Sequence, residues 1–181
     1  MKGAVFIAFN EMVEGDLGMA TWEQLLLAVK PASEGVYTSV EDYPDTELFA
    51  LVEKLAELTQ KPVEELVRYF GRHLFDALVA KYPMLIENEK DFFRFLMSID
   101  DVIHKEVRKL YENPNLPDLR YDPPEANTLV LYYHSPRKLC ILAEGLIAGA
   151  AQYYGIDYEL SHGPCMHSGA DECRFIITRQ T

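Results

Sequence analysis

The spacing of apolar residues predicts that the first half of the chain is helical. In residues 45–59 the apolar side chains fall three or four positions apart, which places them on one face of a helix. Three other segments repeat this pattern and have residues typical of helix ends. They are 21–29, which Pro31 ends; 63–80, which Pro62 opens; and 91–111, in which two helices meet near Ser98.

The pattern changes in the second half of the chain. Turn-forming residues are concentrated at 113–118 and 121–124, and runs of β-branched and aromatic residues follow. A buried helix that begins at Ser135-Pro136 interrupts these runs and ends near Gly155. The predicted strands are 128–133, 158–161 and 172–178. This order predicts an α+β fold, with a helical first half and a β-α-β-β second half.

Composition and charge exclude several classes of function. The 181 residues are 49% hydrophobic, enough for a core, and the net charge is −12. A surface this acidic repels phosphate backbones and anionic lipids, so we expect no nucleic-acid or membrane partner. No run of about 20 apolar residues is present to span a membrane. The apolar stretch at the start is too short for a secretory signal, so we expect a cytoplasmic protein.

His104 lies at the edge of an apolar arc in the last helical segment of the first half. At about 100° per residue, an imidazole in that position faces a core or a bound ligand rather than water. Two interpretations remain open: a hydrogen-bonded core histidine, or a ligand of a metal or of haem iron. The arc consists of Ile99, Ile103, Val107, Leu110 and Tyr111.

Three polar residues cluster where the first predicted strand meets the buried helix. Ser135 is predicted as the N-cap, with Pro136 and Arg137 as the first two helical residues. A cation is unfavourable at a helix N-terminus, so an anion should lie near Arg137. The guanidinium, the Ser135 hydroxyl and the Tyr133 phenol would converge on a carboxylate. The alternative is an internal ion pair, with Asp45 as one possible partner; a chain from Asp45 through Arg137 to a ligand satisfies both.

The three cysteines lie together near the end of the chain, beside two histidines. Cys140, His162, Cys165 and Cys173 offer three thiolates and one imidazole, the donor set of a closed tetrahedral zinc site. His167 is the alternative imidazole. The other interpretation is three separate reduced cysteines. Oxidation of the cysteines to a disulfide would displace a bound metal, so the same residues could also sense redox conditions. The sequence does not decide between zinc and a disulfide.

Several motifs together resemble the H-NOX domain, the haem–nitric oxide/oxygen binding family, in its stand-alone bacterial form. The motifs occur in the family's order from end to end, so the resemblance covers essentially the whole chain. They are Met1-Lys2-Gly3, Tyr43-Pro44-Asp45, His104 within Ile-His-Lys-Glu-Val, Asn115-Leu116-Pro117, and Tyr133-x-Ser135-x-Arg137. The resemblance implies a helical N-terminal lobe, residues 1–62, packed over a C-terminal lobe, residues 63–181. The second lobe would hold a small antiparallel sheet and helices, with haem b between the lobes.

The resemblance also implies a role for each motif. His104 would be the proximal ligand of the haem iron, and Pro117 would press on the macrocycle and distort it from planarity. Tyr133, Ser135 and Arg137 would hold the haem propionates. A subset of the family has a zinc site, which supports the metal interpretation of the cysteine cluster.

The resemblance further implies an apolar distal pocket. By this resemblance, family members that bind O₂ have a distal tyrosine at the position where this chain has Leu142. A hydrogen-bond donor stabilises bound O₂ by about 1–3 kcal/mol, whereas NO needs none. The expected function is therefore a sensor that binds NO through a five-coordinate ferrous haem and excludes O₂. His73 would restore a donor if its ring turned inward. The other positions expected to line the pocket are Val5, Phe9, Leu74 and Leu78.

A sensor of this kind is expected to have no enzymatic activity and to signal to a separate protein. The resemblance implies a signalling histidine kinase or a cyclic-di-GMP enzyme as the partner. NO would weaken the iron bond to His104, free the helix at 101–111 and let the lobes shift. Two other hypotheses remain: a haem-free zinc/thiol redox-sensing module of the same fold, and an enzyme with Cys165 as nucleophile and His167 or His162 as base.

Overall fold

The computed structural model describes residues 1–87, 89–110 and 114–180, and its first half is helical. The segment predicted at 45–59 is confirmed to the residue, and the segments predicted at 21–29 and 63–80 are extended by one or two residues. The helices are α1 (Gly3–Leu17), α2 (Met19–Val29), α3 (Asp45–Thr59), α4 (Val63–Lys81) and α5 (Met84–Glu87). None of the described helices is long and apolar enough to cross a bilayer.

Helix α1 is an element that the sequence analysis did not predict. Phe6, Phe9 and Val13 are completely or almost completely buried and fill the core of the N-terminal half. Gly3 starts the helix where the chain passes directly under the backbone of Thr38, and a Cβ atom there would collide with the Thr38 carbonyl. The Met-Lys-Gly motif therefore has a steric reason for its glycine.

The segment that contains His104 is helical throughout, but its turns change width. Helix α6 (Phe92–Ser98) runs into a π-helical segment (Ile99–His104), and α7 (Lys105–Leu110) continues from it. The predicted boundary near Ser98 is therefore a change of helix type and not a break. A π turn is rare and is often found at functional sites. Tyr111 and the side chain of Leu110, which we predicted as part of the apolar arc with His104 at its edge, lie outside the described residues.

The second half of the chain forms one antiparallel sheet of four strands among the described residues. The strand order is β1-β2-β4-β3, with β1 (Asp118–Tyr121) at one edge. The other strands are β2 (Thr128–His134), β3 (Tyr158–His162) and β4 (Cys173–Arg179). They confirm the three predicted strands, whereas β1 was missed, so the order is β-β-α-β-β. Alternate residues of β2, from Leu129 to Tyr133, are buried.

Helix α8 (Cys140–Tyr154) begins later than predicted. Ser135 is not its N-cap, and Pro136 and Arg137 are not helical. Residues 135–138 instead form a turn, in which the Lys138 N–H donates to the Ser135 carbonyl at 2.9 Å. Proline suits the second position of such a turn as well as it suits a helix start. The expected clash between Arg137 and the helix dipole is therefore absent, and the anion argument depends on the contacts of Arg137 alone.

Helix α4 connects two hydrophobic cores. Its residues Leu66, Phe70 and Leu74 belong to the core formed with α1, α2 and α3, whereas Phe75 belongs to the core under the sheet. The helix crosses α8 at two glycines, and a Cβ atom on Gly71 would lie 2.7 Å from the Cα atom of Gly145. The backbones therefore touch at the crossing. The predicted lobe boundary between residues 62 and 63 precedes this shared helix and stays a prediction.

Candidate functional site

A cavity of about 260 Å³ lies between α4, α8, the π segment and the first two strands. Its walls are apolar except at His104, Tyr133 and Arg137. Pro117 also lines it. Together with Leu78 and Leu142, the structure thus brings six of the predicted site residues, separated by up to 64 positions in the sequence, to one cavity.

His104 is buried at the wall of this cavity, with 9% of its surface exposed. Its Nδ1 atom lies 3.0 Å from Oδ1 of Asp100, and the same oxygen accepts a hydrogen bond from Arg108 at 3.1 Å. Burial lowers the pKa of His104, and the hydrogen bond that its Nδ1 atom makes with the Asp100 carboxylate only partly opposes this effect. A neutral imidazole that donates from Nδ1 has a free lone pair on Nε2. His104 can therefore act as a metal ligand toward the cavity.

Arg137 lies at another edge of the cavity, and its contacts use only part of the guanidinium. Nη1 lies 3.7 Å from Oδ1 of Asp45, and Nη2 donates to the carbonyl of Asn115. Nε is buried with no hydrogen-bond partner among the described residues. Asp45 is shared, because the amino group of Met1 lies 2.9 Å from the same oxygen. The internal ion pair with Asp45 that the sequence allowed is therefore present. The Nε donor of Arg137 still has no partner among the described residues.

Tyr133 and Ser135 complete this edge. Both are almost fully buried, and burial raises the pKa of Tyr133, so its phenol remains protonated. The Ser135 hydroxyl accepts the N–H of Arg137 at 3.3 Å, which fixes the turn. The bond from Arg137 to the Asn115 carbonyl ties the Asn-Leu-Pro segment, and with it Pro117, to the same edge. A buried donor without a partner costs about 1–3 kcal/mol, so an anion such as a carboxylate fits here.

The structure divides the predicted distal residues between two places. Leu78 and Leu142 line the cavity. Val5, Phe9 and Leu74 are not among its lining residues and pack in the core of α1–α4. Phe9, for example, contacts Phe70 edge to face at 5.2 Å. His73 is half-buried and is also absent from the lining residues. Lining residues that the sequence analysis did not predict include Phe75, Phe95, Leu146 and Ile147.

The cysteine cluster assembles as the sequence predicted. One donor atom from each of Cys140, His162, Cys165 and Cys173 lies within 4.8 Å of all the others. The cysteines are free thiols, with Sγ atoms 3.8 Å apart for Cys140–Cys165 and 3.6 Å for Cys165–Cys173. His167, the alternative imidazole, is exposed and lies 2.8 Å from the Lys138 carbonyl.

The imidazole of His162 has one engaged and one free nitrogen. Nδ1 lies 2.6 Å from Oε1 of Glu144, whereas Nε2 is buried with no partner among the described residues. Burial raises the pKa of Cys140 and of Cys173, which keeps them as thiols until a cation is present. Three sulfur atoms and one unpartnered ring nitrogen in contact range fit the donor set of a tetrahedral thiophilic metal such as zinc.

Two positioning residues of these sites were not predicted. Asp100 is four residues before His104, a spacing that places two side chains on one helix face and that could have been recognised. Glu144 is the only charged residue of the apolar helix α8. This isolated charge indicated a special role, but the sequence did not show which residues it contacts. Its contacts with His162 and Arg68 join residues far apart in the sequence.

Comparison with known proteins agrees with this geometry. The sequence model of the Haem-NO-binding family matches residues 2–162. The structure is similar to that of an H-NOX protein from S. oneidensis in the Fe(II)NO state, with 40% identity, full coverage of both chains and a TM-score of 0.94. The unliganded Fe(II) H-NOX protein from K. algicida is 30% identical, with 100% and 97% of the chains covered and a TM-score of 0.91.

A third structure, the IWP-051-bound H-NOX from Shewanella woodyi in the Fe(II)CO state, is 40% identical, with 99% and 95% coverage and a TM-score of 0.88. No curated protein sequence matched the chain. The match over most of the sequence and the agreement of the whole fold point to the same family. The chain therefore belongs to the Haem-NO-binding, or H-NOX, family.

Proposed function

We propose that the protein is a haem-based sensor that binds NO, excludes O₂ and signals to a separate protein without enzymatic activity of its own. The observation that carries the proposal is one apolar cavity with a buried imidazole, His104, on one wall and an unsatisfied guanidinium donor, Arg137, at its edge. Haem, when bound, supplies an iron atom with one position for an imidazole and one for a diatomic gas.

The proximal side of the site depends on the Asp100–His104 pair. The carboxylate of Asp100 accepts the Nδ1 proton, which fixes the tautomer and leaves Nε2 as the donor atom. Arg108 holds the carboxylate from the other side. Because the π segment and α7 contain all three residues, a movement of His104 would carry this helical segment with it. Such a movement is the proposed origin of the signal.

Replacement of Asp100 by Asn is expected to weaken the donation from His104 to iron, because the neutral amide polarises the Nδ1 proton less. The expected result is a lower iron–histidine stretching frequency in the resonance Raman spectrum of the ferrous protein. Outer carboxylates of this kind typically change metal affinity by about 10- to 100-fold. Asp101→Asn, on the exposed side of the same segment, is the matched control. An unchanged frequency in Asp100→Asn would contradict the role.

The edge with Tyr133, Ser135 and Arg137 is proposed to hold the haem propionates. Arg137→Lys keeps the positive charge but loses the planar fork, so haem should dissociate faster, on the order of tenfold. The measurement is the rate of haem transfer to an excess of a haem-scavenging globin. Arg120→Lys, at an exposed position paired with Glu172, should leave the rate unchanged. Equal rates for wild type and Arg137→Lys would count against a propionate site.

Gas selectivity is proposed to come from the walls of the cavity. Apart from His104, Tyr133 and Arg137, its described lining residues have no side-chain hydrogen-bond donor. Bound O₂ draws negative charge and gains from a donor, whereas NO does not. Leu142 and Leu78 therefore favour NO, and Val5, Phe9 and Leu74 support this wall from the adjoining core.

One absorbance experiment tests the proposed function. Ferrous protein supplied with haem b should show a Soret band that NO shifts and that equilibration with air leaves unchanged apart from slow oxidation. A colourless protein would overturn the haem proposal, and a stable oxygenated spectrum would overturn the exclusion of O₂. The partner is proposed to be a signalling histidine kinase or a cyclic-di-GMP enzyme, the classes that the family resemblance implies. Its docking face should be partly basic, because this chain has a net charge of −12.

The cysteine cluster is proposed to hold a structural zinc ion through Cys140, His162, Cys165 and Cys173. Reduced protein should then contain close to one equivalent of zinc, and less than about 0.3 equivalent would contradict the site. The same cluster supports a second candidate function, a zinc/thiol redox-sensing module of this fold. That candidate is favoured if the protein holds zinc but stays colourless when haem is supplied.

A further inference from the structure

We propose that Glu144 is a positioning residue of the cysteine cluster and that, together with Arg68, it couples metal occupancy to the crossing of α4 and α8 beside the cavity. The inference depends on the zinc part of the proposed function. It concerns residues outside the four metal donors, and it assigns a task to the one charged group buried in α8.

Glu144 bridges two elements with its two carboxylate oxygens. Oε1 lies 2.6 Å from Nδ1 of His162 on β3, and Oε2 accepts from Nε of Arg68 on α4 at 2.5 Å. The side chain is 9% exposed, whereas that of Arg68 is 46% exposed. A carboxylate this buried has a large desolvation cost unless it is paired, so both contacts are needed to hold it.

The contact with His162 prepares the ring for a metal. A carboxylate that accepts the Nδ1 proton fixes the tautomer with its lone pair on Nε2 and increases the basicity of that atom. Nε2 is the ring nitrogen that is buried without a partner, beside the three sulfur atoms. A continuous chain of contacts therefore runs from Arg68 on α4 through Glu144 to His162, which lies beside the three cysteines.

The same helix connects the cluster to the cavity. Cys140 is the first residue of α8 and Glu144 is four residues further, while Leu142, Leu146 and Ile147 between and beyond them line the cavity. The crossing leaves no space for adjustment, because a Cβ atom on Gly145 would collide with the carbonyl oxygen of Arg68. A metal that fixes His162 thus also fixes Glu144 and Arg68 at the tightest point between α4 and α8.

The first test compares metal affinity in Glu144→Gln and wild type. Glutamine keeps the shape of the side chain and removes its charge, so the affinity for Co²⁺ and Zn²⁺ should fall about 10- to 100-fold in competition with a chromophoric chelator. The thiolate-to-cobalt absorption should keep its form at saturation, because the four donors are unchanged. Glu159→Gln, on the exposed face of the same strand as His162, is the matched control.

The outcomes of this test are separable. An affinity of Glu144→Gln within about twofold of wild type overturns the inference and leaves the zinc site standing. Wild-type protein without thiolate-to-cobalt absorption overturns both. A protein that binds cobalt normally but shows no Soret band when haem is supplied contradicts the haem proposal alone.

The second test measures the coupling directly by amide hydrogen exchange with and without a chelator. In wild type, metal removal should increase exchange in α4 around Arg68 and Gly71, at residues 66–72. In Glu144→Gln and in Arg68→Gln the metal should have little effect on this segment, although it still protects the cluster itself. Equal metal dependence of α4 exchange in all three proteins would show that no coupling passes through Glu144.

Discussion

Ferrous protein with His104→Gly is expected to lose the spectrum of a five-coordinate, histidine-ligated haem. His104 is the one imidazole among the described lining residues of the cavity, and Asp100 holds its Nδ1 atom. Without this ligand, haem is held only by apolar contacts and by the edge at Arg137, so haem content should fall by about tenfold or more. Added imidazole should restore the spectrum, because the vacated volume can accept the free ring.

A matched control separates ligation from helix stability. Glycine is less favourable in a helix than either histidine or aspartate, and these two residues have similar helix propensities, so the cost of the substitution should be similar at both positions. Asp101→Gly places the same substitution at an exposed position of the same π segment and keeps the imidazole. Haem content and spectrum should be normal in that variant. An unchanged spectrum in His104→Gly, with no requirement for added imidazole, would remove the basis of the proposed function.

An element was predicted accurately where its own residues show a regular pattern of apolar and polar positions, and was missed where they do not. Helix α3 was located to the residue because its buried face repeats regularly and its opposite face is polar. Helix α1 was missed because it is apolar over most of its surface and so has little periodicity. β1 has only four residues, two of them exposed, and a strand so short depends on its partner β2. The π segment was not recognised because its apolar residues have the spacing of an ordinary α-helix.

The start of α8 shows why a local signal can be ambiguous. Ser-Pro satisfies the preferences of a helix start and of a tight turn, and the decision depends on the hydrogen bond between Lys138 and Ser135. Lys138 adopts φ 50°, a left-handed conformation that residue type alone does not predict for lysine. Pro136 and Arg137, which belong to the turn, were consequently assigned to the helix that follows it.

The candidate site was predictable where its residues carry distinctive chemistry. The imidazole of His104, the guanidinium of Arg137 and the three thiols can bind a metal or an anion, and the structure brings each to a cavity or cluster as expected. The residues around them were not predictable in the same way. Glu144 and Arg68 are 76 positions apart and meet only because Gly71 and Gly145 let two helices touch. Apolar lining residues differ from core residues only by position, which is why the distal set was partly misplaced.

Leu142→Tyr is expected to convert the protein to one that binds O₂. The substitution puts a phenol on the α8 wall of a cavity whose other α4 and α8 lining residues offer no donor. A hydrogen bond to the charged outer oxygen contributes about 1–3 kcal/mol, equivalent to about 5- to 150-fold in O₂ affinity. NO affinity should change by less than a few fold. The measurement is an absorbance titration of the ferrous protein with O₂.

Leu142→Phe is the control that isolates the hydroxyl group. Phenylalanine fills nearly the same volume as tyrosine, so any effect of crowding in the cavity appears in both variants. Only tyrosine supplies the donor, and only tyrosine should give a stable oxygenated spectrum in air. Equal O₂ affinity in the two variants would mean that shape rather than polarity sets selectivity. Oxygen binding by the wild-type protein would mean that a donor reaches the gas from elsewhere, with His73 the first residue to replace.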